Sequence, residues 1–205
     1  MAALLVSLMP ILVGAALAQS KAGRSDANMT AKMREGWDCK TTWTRMYLVS
    51  ALGNLPDTAQ VRERLLRCPE AIGQLVEPYF GKAVADSFGL ALQQHLKTLM
   101  SYVLATKYGN AEALDAVRIR LRADAAAVAE RLGRINAAWA KPQFRELFDV
   151  YLQLTEREIT LRAQGDYAGD IENFSKLHVV SDQLAEKLSS DIIAQFQPKL
   201  APGGR

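Results

Sequence analysis

Lys82–Tyr108, KAVADSFGLALQQHLKTLMSYVLATKY, decides the fold. Val84, Phe88, Ala91, Leu92, His95, Leu99, Tyr102 and Val103 recur there at three- and four-residue steps, which places them on one side of an α-helix. An apolar stripe of this length needs partner helices to cover it. One polar residue, His95, sits near its middle.

Outward from this helix the punctuation is regular. Gly81 precedes it and Gly109-Asn110 closes it, with Asn110 placed to cap the next helix. Upstream, the spacing predicts a first helix over 30–52, with Met33, Trp37, Thr44, Tyr47, Leu48 and Ala51 inward and Trp43 and Arg45 beside the stripe. Asn54-Leu55-Pro56-Asp57 stops it, since Pro56 cannot continue a helix and Asp57 suits an N-cap. A short second helix, 58–67, halts at Cys68-Pro69, and a third resumes with Pro69 in its first turn and ends near Glu77-Pro78. Downstream, helices are expected to about residue 135, over 141–164 and over 167–196, with Gly165-Asp166 as another stop and cap. No stretch alternates apolar and polar residues long enough for a sheet. Short loops between long amphipathic helices make neighbours antiparallel. The expected fold is all-α: an antiparallel bundle of about four long helices plus shorter N-terminal ones.

A shift of 56 residues aligns Val61-Arg62-x-Arg64-Leu65 with Val117-Arg118-x-Arg120-Leu121, Phe88 with Phe144, His95 with Tyr151, Leu96 with Leu152 and Gly109 with Gly165. The match suggests a duplicated helical hairpin, helices two and three with four and then five with six.

Composition agrees with a folded globular chain: 49% hydrophobic and 23% charged residues over 205 positions. The net charge of +3 is mild, and Lys and Arg are interleaved with Asp and Glu, so charge points to no nucleic-acid partner. The first 18 residues carry no charge and end in Ala16-Leu17-Ala18, the small-x-small form of a signal-peptidase site. The run is short for a membrane span. The expected organisation is a signal peptide over 1–18, a flexible tether over 19–29, the bundle over 30–196 and a disordered Pro- and Gly-rich tail over 197–205, with the mature chain periplasmic or secreted and without a stable membrane span. In an oxidising compartment Cys39 and Cys68 are expected to pair.

Catalytic signatures are missing: there is no GxSxG, no Cys–His pairing, no P-loop and no GxGxxG. Three functional readings follow. An exported bundle with a binding or structural role, for a protein or envelope partner, needs no further motif. A metal- or cofactor-binding bundle would draw on His95, Glu158, His178 and Asp182, whose spacing lacks any ExxH or HExxH pair. A small-molecule carrier would use an aromatic-lined cavity, with Trp37, Trp43, Tyr47 and Trp139 as lining and Trp43, Arg45, His95 and Tyr151 as ligand-binding candidates. The cofactor, if any, is not specified by these residues.

Trp43-Thr44-Arg45, Asn54-Leu55-Pro56-Asp57, His95-Leu96 and Gly165-Asp166-Tyr167 together resemble a family of small all-helical proteins of soil bacteria. The similarity spans about Trp37 to Phe196. Members carry automatic labels such as acetylglutamate kinase or glycosyltransferase, for which these residues supply no mechanism. The resemblance implies imidazoles at the positions of Lys40 and Tyr151 as well as at His95; this chain keeps only His95.

Overall fold

A computed structural model describes the backbone of residues 9–109 and 111–196 and the side chains from residue 27 onward. Seven α-helices and one 3-10 turn are present among the described residues, and no strand is: α1 Met9–Gly53, α2 Thr58–Leu65, α3 Cys68–Phe80, α4 Lys82–Tyr108, α5 Ala111–Ile135, the turn Ala137–Ala140, α6 Pro142–Ala163 and α7 Tyr167–Phe196. The fold is an all-α bundle.

Long-range bonds fix the helix directions. Along α4 and α5, Arg131 reaches Ser87, Thr98 reaches Asp124 and Arg118 lies over Tyr102, so one number rises as the other falls. The same antiparallel register joins α1 to α7, through Arg34–Glu186, Thr41–Ser181 and Arg45–Asp170. Parallel pairing links α1 to α6, where Lys40 meets Tyr151 and Arg45 meets Glu158. Helix α4 is the central element, packed along both α3 and α5 and touching α1 and α6. Its buried face is correspondingly wider than one stripe, adding Ala85, Gly89, Leu96, Thr98 and Met100 to the expected set, while Val84 and Ala91 are half-buried.

Several expectations change. The tether expected over 19–29 is helical backbone continuous with α1; residues 9–18 are helical as well, which does not bear on the signal peptide expected there. The sequence Gln19–Asn28 holds no proline, and helix α1 gains from burying Met29 and Met33 in the core. Residues 1–8, the expected Asn110 cap and the tail over 197–205 lie outside the described residues. Asp57 makes no side-chain capping bond; Thr58 Oγ1 donates to the Leu55 carbonyl instead. Asp166 does cap α7, its carboxylate accepting from Gly169 N–H at 2.9 Å. Helix α3 runs through Pro78 to Phe80. Gly109, at φ +67°, ends α4 in the left-handed conformation that a side chain resists.

The expected hairpin pairing is unequal. Helix α3 packs along α4, but α5 packs chiefly on α4 and α6 chiefly on α7. Between α5 and α6 stands the turn Ala137–Ala140, with Trp139 buried and Ala140 against Gly133.

Cys39 and Cys68 form a disulfide with a Cα–Cα distance of 5.9 Å, tying the middle of α1 to the start of α3. Its loop of 29 residues contributes about 3–4 kcal/mol through restriction of the unfolded chain. Arg64 points its guanidinium at both sulfurs, 3.2 Å from Cys39 and 3.4 Å from Cys68, and covers the Trp43 ring at 5.0 Å.

Helices α3 and α4 approach through two glycines. A Cβ on Gly73 would lie 2.7 Å from the Ala85 carbonyl oxygen, with Gly89 Cα at 3.3 Å. Backbone cannot yield as a side chain can. Gly73→Ala is therefore expected to lower stability by about 1–3 kcal/mol in urea unfolding despite the higher helix propensity of Ala. A neutral or stabilising outcome would contradict the close approach.

Candidate functional site

The core has two apolar halves. One gathers Met33, Trp37, Phe88, Leu92, Val128, Phe148 and Leu184; the other gathers Leu48, Leu65, Leu96, Leu99, Val103, Leu121 and Ile159. From mid-height toward the C-terminal ends of α1 and α6 runs a belt of buried polar residues: Lys40, Thr41 and Thr44 on α1, His95 and Thr98 on α4, Thr155 and Glu158 on α6, and Asp170, Asn173 and Ser181 on α7. Burying such groups is unfavourable unless each finds a partner.

Most do. Lys40, only 3% exposed, donates from Nζ to the Tyr151 hydroxyl at 2.8 Å and lies 4.4 Å over the Tyr151 ring. No carboxylate pairs with it among the described residues, so two aromatic faces, Tyr151 and Trp37, help hold the charge. The Tyr151 hydroxyl also meets Thr41 Oγ1, which bonds Ser181. Farther along α1, Arg45 bridges Glu158 at 2.7 Å and both oxygens of Asp170 at 3.0 and 3.1 Å, and Arg162 adds a second cation to Asp170 at 3.1 Å. This four-charge cluster joins α1, α6 and α7, with Phe174 under the Arg45 guanidinium at 4.5 Å.

Besides one oxygen of Glu158, the exception is His95. It is 3% exposed, and its Nδ1 has no hydrogen-bond partner among the described residues. Burial pushes its pKa down to about 3, the nearby Lys40 charge adds to the effect and Asp124 opposes it, so the ring is neutral at physiological pH. His95 lines a cleft of about 440 Å³ between α5 and α6. The α5 wall is made of Leu121, Arg122, Ala125, Ala126 and Ala129; the α6 wall carries Phe148, Asp149, Leu152, Gln153, Thr155 and Glu156. The cleft exists because the run Asp124-Ala125-Ala126-Ala127-Val128-Ala129 presents methyl groups where longer side chains would reach across to α6.

The candidates separate accordingly. His95 and Tyr151 both lie in the belt, and Tyr151 bonds Lys40 rather than facing the cleft. Lys40 and Tyr151 touch one another, and Lys40 acts on His95 electrostatically. Arg45 and Glu158 are consumed in the ion cluster. His178 is at the surface, stacked on Phe174 and 3.6 Å from Asp38, and Asp182 is half-buried on α7. These four metal candidates are not brought together: no group of three His, Cys, Asp or Glu side chains placed to hold a metal occurs among the described residues. Trp37 and Trp139 are buried in packing, Trp37 edge-on to Tyr151 and Trp139 against Phe144, and neither they nor Trp43 and Tyr47 line the cleft. Lys40, Arg162 and Asp170 escape sequence reading because each looks like an ordinary helix-surface charge; the alanine run on α5 was the one available signal for the cleft.

No family model, curated protein or solved structure matches the chain.

Glu158 gives the belt a pH signature. Burial raises its carboxyl to about 7, with Asp170 reinforcing the rise and Arg45 and Arg162 opposing it, and its Oε2 has no partner among the described residues. A folded-state value above the ordinary 4.5 means that this contribution to stability is complete below about pH 4.5 and is lost as pH rises through about 7. Glu158→Gln, uncharged throughout, escapes that loss. Relative to wild type it should gain up to about 3 kcal/mol between pH 5 and 8 in urea unfolding. A pH-independent difference would contradict the assignment.

Proposed function

We propose that this chain is an exported helical-bundle protein with a binding role, and that the α5–α6 cleft over His95 receives its ligand. The placement of His95 carries the reading: a neutral imidazole, withdrawn from water and without a partner for Nδ1, lines a cleft whose volume of about 440 Å³ falls in the range of small-molecule sites. A buried polar atom left unpaired is unfavourable; Nδ1 has almost no accessible surface, and a bound molecule that draws the ring toward the cleft and bonds it recovers that loss. Thr155, the hydroxyl residue among the lining side chains, is committed to the Tyr151 carbonyl. A metal held by His95 has less support, because the charge that acts on it most strongly is the Lys40 cation.

Export is supported by the uncharged apolar stretch over 1–18 and by the Cys39–Cys68 bridge, since such bridges persist in oxidising compartments. No described helix is long and apolar enough to cross a membrane. A protein or envelope component remains the alternative occupant of the binding role, on a surface other than the cleft.

Native mass spectrometry of protein purified from its own compartment tests the reading. Wild type should carry a stoichiometric small-molecule adduct, and His95→Leu and Ala126→Leu should each lose most of it. A wild-type protein with no adduct, or one retained by both variants, would overturn the cleft as the binding site.

A further inference from the structure

We infer that the cleft takes a flat, uncharged ring compound bearing one hydrogen-bonding heteroatom, its ring held between the alanine wall of α5 and Phe148 of α6 and its heteroatom on His95. This rests on the preceding reading and deepens it.

Shape argues for a flat molecule. Ala125, Ala126 and Ala129 form a low wall, and Phe148 with Leu152 forms the opposite one, so the space is a slot between two helices. A planar ring fills such a slot and meets the part of Phe148 that lines it, the Phe148 ring being otherwise buried and stacked on Phe144. A branched or bulky body would have to part α5 and α6.

Charge argues for a neutral one. A cation reaching the floor would meet Lys40 behind His95, with Asp124 already accepting from Thr98 Oγ1 at 2.6 Å. An anion would pass Asp149 and Glu156 on the α6 lip and then leave water beside an uncharged imidazole. Arg122 on the α5 lip is exposed, and solvent weakens its pull. An uncharged molecule escapes both costs. A neutral imidazole offers one N–H and one lone pair, so it can either donate to or accept from the heteroatom.

Isothermal titration of the full oxidised chain at pH 7.5 against indole, indole-3-acetate and tryptamine tests this, because the three share a ring and differ in charge. Indole should bind at least tenfold more tightly than either charged analogue. Ala126→Leu fills the slot from an exposed position that the core does not need; it should abolish indole binding while leaving the thermal unfolding midpoint within a few degrees of wild type. His95→Phe should weaken indole at least tenfold. Equal or tighter binding of a charged analogue would overturn the ligand class and leave the cleft as the binding site. Indole binding that survives Ala126→Leu would place the ring elsewhere and overturn the proposal. If none of the three probes binds and native spectrometry also finds no adduct on wild type, the reading of the cleft itself fails.

Discussion

A bundle whose core is crossed by polar side chains has to satisfy them from neighbouring helices, and that requirement governs this molecule. On α1 the change from apolar to polar falls between Trp37 and Tyr47, on α4 between Leu92 and Leu96, and on α6 between Tyr151 and Ile159. These positions align only when α1, α4 and α6 run parallel and α7 runs against them. A slip of one turn along any helix would set Lys40, Glu158 or Asp170 against hydrocarbon, at a cost of several kcal/mol per ion. The polar belt therefore selects one register from the many that apolar seams alone would tolerate.

Helix α4 shows what the belt leaves over. It has more apolar surface than one neighbour covers, so α3 lies along it through the glycine contact at Gly73 and Gly89, and α5 lies along its other side. The alanines of α5 then fall short of α6, which leans on α7 instead. The gap opens at the height of His95. Lys40 is stabilised by Tyr151 and Trp37, while Trp37 Nε1, Glu158 Oε2 and His95 Nδ1 are left unpaired among the described residues; of these three residues His95 lines the cleft. A binding site emerges here from a packing deficit on one helix and an unsatisfied group on another.

Much of this was readable in advance. The ends of α4, α5, α6 and α7 follow from Gly81, Gly109, Pro142 and Gly165-Asp166, because glycine and proline act locally and leave a plain trace. The disulfide followed from the count of two cysteines and the compartment expected for the chain. What the sequence could not display depends on tertiary neighbours: whether Glu158 meets a metal or Arg45, whether Lys40 reaches water or Tyr151, and whether Arg64 is solvated or covers a disulfide. The extent of α1 also eluded local reading, since a polar segment without proline can be either tether or helix until Met29 and Met33 find a core.

The central claim is that the fold withdraws one uncharged imidazole from water beneath the α5–α6 cleft. A proton NMR titration of the two histidine rings, assigned with the His178→Gln variant, tests it most directly. The account predicts that the His95 ring stays neutral down to at least pH 5, in keeping with a pKa of about 3. Protonation of His95 near pH 6.5, the ordinary range of a solvated imidazole, would contradict it.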